Sequence, residues 1–131
     1  MKFKAKEIFV GYDENDVLII GFSENSTEHE KPIYFMLQDS KEYGDQDKQL
    51  GMDTYYIEKN DQSMGGYGGI AEVYLERNRI KIELDKNGID NVKENFVEIV
   101  FECGDNEFKN LLKRLDQIFS NGELKTNYNT L

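Results

Sequence analysis

The sequence predicts an α+β fold: a mostly antiparallel sheet of about six or seven strands, with one long C-terminal helix packed on one face. Three observations predict it. Segments that alternate apolar and polar residues recur up to Phe101, most clearly in Arg79 to Asp85. There Ile80, Ile82 and Leu84 point one way and Arg79, Lys81, Glu83 and Asp85 the other, so one face is buried and one is wet. Helical spacing follows only later, in Phe108, Leu111, Leu112, Leu115, Ile118 and Phe119. Finally, 131 residues suffice for one hydrophobic core and are too few for two.

The elements follow in order. Phe3 to Tyr12 and Val17 to Phe22 read as strands, joined into a hairpin by the polar turn Asp13-Glu14-Asn15-Asp16. Pro32 opens a strand over Ile33 to Gln38, and Asp39 to Met52 is a long polar loop. Asp53 to Asn60 and Gly69 to Glu76 are strands, and Arg77-Asn78 turns the second into Arg79 to Asp85. Lys86 to Asn95 is a polar connection with room for one helical turn. Phe96 to Glu102 returns to strand with Val97, Ile99 and Phe101 inward. Gly104 breaks it, Asp105 is the expected N-cap, and Gly122 is the expected helix stop. The expected organisation is one domain over residues 1–122 and a loose tail over 123–131. The helical stripe is read as core packing, not as a partner-binding surface.

Charge and rare residues limit the chemistry. A formal charge of −10 repels nucleic-acid phosphates and anionic membranes, and it favours a basic protein partner, although solubility alone also accounts for it. Cys103 is the sole cysteine, so no internal disulfide can form; with no basic neighbour in sequence, it reads as a small strand-end residue. His29 is the sole histidine, flanked by Glu28 and Glu30, and reads as solvated. Neither a nucleophilic triad nor a zinc site is expected. Asp45-Gln46-Asp47 begins like a calcium loop but has Gln49 at the fifth position, and Asp13 to Val17 fails similarly. No cofactor, metal or enzymatic activity is expected. Residues 1–20 carry no signal pattern and no apolar run nears the roughly 20 residues of a membrane span, so a cytoplasmic setting is expected.

The most informative segment is Gly65-Gly66-Tyr67-Gly68-Gly69, between two strand-like runs. Phosphate loops open a helix. Here the glycines open a strand in acidic surroundings, so the reading is a bulge or shaped corner that can also serve recognition.

At this segment the chain resembles the immunity protein ten family of bacterial polymorphic toxin systems. The resembling residues are Tyr56-Ile57-Glu58, Asp61-Gln62, Tyr67-Gly68-Gly69-Ile70, Glu72-Val73 and Leu75, with the strand Arg79 to Leu84 and the ending Phe101 to Phe119. The resemblance spans roughly residues 53–120; the polar Lys86 to Val92 departs from an alanine-rich helical connection. It implies a small α+β protein that binds and neutralises a cognate toxin made by the same cell. An acidic inhibitor fits a basic toxin, such as a nuclease. The expected contacts are Asp39, Glu42, Asp45, Asp47 and Asp53, which outnumber Lys41 and Lys48 in their segment, with Tyr43 and Tyr67 as aromatic anchors. The alternative is a small-ligand or structural module of a larger assembly, with the glycine corner as a pocket wall. Exposed strand edges would allow a homodimer.

Overall fold

The computed structural model describes residues 1–24, 33–39, 54–119 and 122–126. Ten strands are found among them: β1 (Lys2–Lys4), β2 (Glu7–Tyr12), β3 (Leu18–Ser23), β4 (Tyr34–Gln38), β5 (Tyr56–Lys59), β6 (Gly65–Tyr67), β7 (Ile70–Glu76), β8 (Arg79–Leu84), β9 (Phe96–Val100) and β10 (Leu124–Thr126). Two α-helices join them, α1 (Lys86–Val92) and α2 (Asp105–Ile118), with a 3-10 turn over Gln62–Met64.

The class is as expected, but the single sheet is not. The strands form two five-stranded sheets, ordered β2-β3-β4-β5-β6 and β1-β9-β8-β7-β10. The first is antiparallel throughout. The second adds the short strands β1 and β10 as parallel edges on β9 and β7. Phe3 to Tyr12, one strand in the sequence reading, therefore serves two sheets. The chain changes sheet at Ala5 and Lys6, where the Ala5 N–H donates to Val100 O (2.8 Å) and the Lys6 N–H donates to Ser23 O (2.8 Å). The β2–β3 hairpin is held as its sequence suggests: Asp13 Oδ1 accepts from the N–H of Asn15 (2.8 Å) and Val17 (3.0 Å).

Alternation places Leu18, Ile20, Phe22, Phe35, Leu37 and Ile57 of the first sheet in one core with Val73, Leu75, Ile80, Ile82, Val97 and Ile99 of the second. Burying each such side chain is worth roughly 1.5–3 kcal/mol. The Phe22 and Phe101 rings, 6.1 Å apart, link the two sheets. On α2, Phe108, Leu111, Leu115 and Ile118 are buried, as the helical stripe requires, and the helix packs against β2 and β3. Its N-cap is Gly104, not Asp105; Glu107 Oε1 accepts the Gly104 N–H (3.2 Å), and Asp105, the first helical residue, pairs with Arg77 (2.9 Å). Lys86 to Val92 forms a full helix because Asp85 caps it, accepting the Gly88 N–H at 3.0 Å. Within the span expected as a tail, Leu124–Thr126 pairs with β7.

Candidate partner-binding face

The outer face of the first sheet is built by strand register. Three cross-strand rows lie opposite the core: Glu7-Ser23-Tyr34, then Phe9-Gly21-Met36-Glu58-Gly65, then Gly11-Ile19-Gln38-Tyr56-Tyr67. Large apolar side chains therefore sit on the face away from the core. Phe9 is 55% exposed and Tyr67 is 38% exposed. Glycine shapes the surface between them. A Cβ on Gly11 would stand 3.1 Å from the tip of the Phe9 ring, and Gly21 leaves a trough of about 660 Å³ walled by Phe9, Ile19, Tyr34 and Met36.

Beside the trough lies a carboxylate held by two phenols. Glu58 is buried, at 8% exposure, although it projects from the outward row of β5. Tyr34 Oη donates to Glu58 Oε2, and Tyr56 Oη donates to Glu58 Oε1 at 2.9 Å. A buried carboxylate is tolerated only where hydrogen bonds replace lost water. Burial first, then the bond to Glu58 and its charge, push the Tyr56 phenol up to about 12; the same causes raise Tyr34 well above the usual tyrosine range. Both phenols, protonated at neutral pH as any tyrosine is, therefore lose their protons only at higher pH than an exposed tyrosine. The Tyr67 ring packs on Tyr56 with centroids 5.3 Å apart.

The glycine segment is what lets this cluster close. A Cβ on Gly65 would lie 2.5 Å from Tyr56 Oη and 2.8 Å from Ile57 O, and one on Gly66 would overlap the Asn91 amide. Gly68 and Gly69 have positive φ, of 70° and 97°, and turn the chain from β6 to β7. That turn is braced by Tyr55: its carbonyl accepts the Gly68 N–H (2.8 Å) and its hydroxyl accepts the Ile70 N–H (2.9 Å).

Of the contacts expected from sequence, Tyr67 lies on this face. Asp39 follows Gln38, at the same end of the sheet as Tyr67, and its carboxylate accepts from Gln117 Nε2 (3.3 Å). The two are not brought into contact by any described bond. Glu42, Tyr43, Asp45, Asp47 and Asp53 lie outside the described residues, as does His29. The sequence reading does not place Tyr34, Phe9 and Met36 on this face, and it names Glu58 only within the resemblance. Their signal was runs such as Ile8-Phe9-Val10, Leu18-Ile19-Ile20 and Tyr34-Phe35-Met36-Leu37, apolar at both parities, which marks strands apolar on both faces.

The outer face of the second sheet is different in kind. Glu98 pairs with Lys2 (3.1 Å) and Arg79 (3.5 Å), Glu76 with Arg79 (2.9 Å), and Glu83 with Lys81 (3.8 Å). Cys103, expected without a basic neighbour, has one after all. Arg77, from the β7–β8 turn, places Nη1 3.7 Å from its Sγ and donates through Nη2 to its carbonyl (2.9 Å). Among the described residues no group of three or more His, Cys, Asp or Glu is placed to hold a metal, and no helix is long and apolar enough to cross a membrane.

Fold and face together define a two-sheet α+β protein with an open, aromatic sheet surface on one side and a charge-paired surface on the other. Its residues 4–109 match the family model described as Immunity protein 10, so the match takes in β2 to β4 as well as the later segment that carried the resemblance. The chain belongs to the immunity protein 10 family. No curated protein and no solved structure matches it.

Proposed function

We propose that this chain is a non-enzymatic inhibitor that binds a cognate toxin domain made by the same cell and covers its active site or an adjacent surface. Family membership carries this reading. The contact surface is the outer face of the first sheet, and the sequence adds the acids Asp39, Glu42, Asp45, Asp47 and Asp53 with Tyr43 as contacts. Phe9, Met36, Tyr56 and Tyr67 supply the apolar and aromatic area that anchors a partner. The charge of −10 favours a basic toxin, such as a nuclease, and would accelerate its approach.

The test is capture of the toxin domain from the native host at low and at high salt, with a toxicity assay alongside. A basic domain that is neutralised, and that releases as salt rises, supports both inhibition and electrostatic capture. Capture indifferent to salt keeps inhibition and assigns the interface to the apolar face. No captured toxin and no protection of cells would overturn the reading. For the acidic segment, the combined Glu42→Gln, Asp45→Asn and Asp47→Asn variant should associate about threefold to tenfold more slowly at low salt, with a flatter salt dependence. An unchanged association rate sinks that part. A second reading, a small-ligand module, draws on the trough, whose volume of about 660 Å³ suits a small molecule; a co-purified compound would support it.

A further inference from the structure

The Tyr34–Glu58–Tyr56 cluster does more than satisfy a buried acid. Each phenol hydrogen is committed inward, one to each oxygen of the same carboxylate. A hydroxyl whose hydrogen is committed has only lone pairs left to offer, and a charged acceptor behind it polarises it further. Toward the surface the cluster is therefore acceptor-only and carries the negative charge of Glu58. No Lys or Arg among the described residues pairs with that charge. The nearest in sequence, Lys59, is taken by Glu94 at 3.7 Å. None of the three outward rows contains a Lys or Arg, although Lys6 lines the trough beside Tyr34; on the second sheet's outer face Glu76, Glu83 and Glu98 have cations beside them, while Glu72 accepts from Tyr74. The complement of such a patch is a cation brought from outside.

Resting on the inhibitor reading above, we infer that this cluster is the receptor for an arginine side chain of the toxin, whose guanidinium bridges the Tyr34 and Tyr56 hydroxyl oxygens over Glu58. Arginine fits better than lysine for two reasons. Its planar fork of five donors can reach two separated oxygens at once, and its flat face stacks on aromatic rings such as Tyr67, which already packs on Tyr56. Gly65 belongs to the same device, since any side chain there would push the Tyr56 hydroxyl off the carboxylate.

The experiment uses the full chain. The Tyr34→Phe/Tyr56→Phe variant keeps both rings and removes only the oxygens, and its thermal unfolding and amide spectrum check that it is folded. Against the captured toxin domain its Kd should rise tenfold or more, while a Lys81→Ala control on the other sheet should not change. A double variant that binds within twofold of wild type overturns the inference and leaves inhibition standing. Should the wild-type chain capture no toxin, inhibition fails and N-acetyl-arginine amide becomes the probe, followed by NMR of the tyrosine rings. A saturable shift at Tyr34 and Tyr56, weaker with N-acetyl-lysine amide and lost in Glu58→Gln, upholds the guanidinium site. No such shift overturns it.

Discussion

Replacing Gly88 with alanine should destabilise this protein, although alanine is the better helix former. In a free helix the substitution would gain about 1 kcal/mol. Here the new Cβ would overlap the Gly69 carbonyl oxygen, with the carbonyl carbon at 2.9 Å and Leu84 Cβ at 3.1 Å. The obstacle is backbone and cannot swing aside. Gly69 O is fixed by the Asp85 N–H (2.9 Å), and the next residue is fixed by Tyr55. Relief requires α1 to part from the β6–β7 turn, which costs about 1–3 kcal/mol of overpacking strain. Losing the Asp85 bond adds about 1–3 kcal/mol for a stranded polar group. Subtracting the helical gain leaves about 1–5 kcal/mol, centred near 3. With a urea slope near 2 kcal/mol/M, the midpoint should fall by about 1.5 M. Urea unfolding of Gly88→Ala beside Asp90→Ala, an exposed site on the same helix, measures it. A Gly88→Ala midpoint equal to or above wild type would refute the close-contact argument.

Other expectations follow from the same contacts. Tyr55→Phe removes the hydroxyl that accepts the buried Ile70 N–H at 2.9 Å, so stability should fall by about 1–3 kcal/mol in urea titration; a change under 0.5 would mean that the turn is not braced there. Tyr56 titrates at about 12 in the fold, chiefly through burial and then through Glu58. An unfolded tyrosine titrates near 10. The folded pKa being the higher, its contribution is complete below about pH 10 and is lost as pH rises toward 12. Urea midpoints measured from pH 9 to 12 should therefore fall more steeply in wild type than in Tyr56→Phe, and equal slopes would contradict the assignment.

Period-two alternation made the strands and their buried faces legible, because burial of one face is written locally in Ile80, Ile82 and Leu84 or in Val97, Ile99 and Phe101. Which strands share a sheet is a nonlocal matter. Lys2–Lys4 and Leu124–Thr126 carry three residues each and find parallel partners such as Glu98 and Val73, so nothing in their own composition announces a second sheet. The break at Ala5 does leave a local mark, because the paired polar Lys6-Glu7 switches the inward positions from Phe3 and Ala5 to Ile8 and Val10. At the candidate face, Tyr67 could be read because glycines isolate it. Glu58 was read among the resembling residues of an acidic strand, and only the return of Tyr34 from 24 positions upstream reveals why it is buried. The glycine segment was understood in kind and not in detail. Gly66 gives way to the Asn91 side chain, Gly65 to the Tyr56 hydroxyl and the Ile57 carbonyl, and Gly69 to the backbone of α1.

The contrast between the two outer faces bears on which one meets a partner. On the second sheet, Glu98 is held below the usual carboxylate range, first by the hydrogen bond from Lys2, with Arg79 and Lys81 adding and burial opposing. A basic protein arriving there would have to displace cations already in place, exchanging one ion pair for another at little net gain. On the first sheet an arriving cation would meet phenol oxygens backed by a charge that no described Lys or Arg pairs. The same approach covers Phe9 and the trough, so apolar burial and charge pairing reward one docking geometry together. For a chain of formal charge −10, general attraction brings a basic partner near any surface. Short-range complementarity would then favour the Tyr34–Glu58–Tyr56 cluster, where no described Lys or Arg pairs with Glu58.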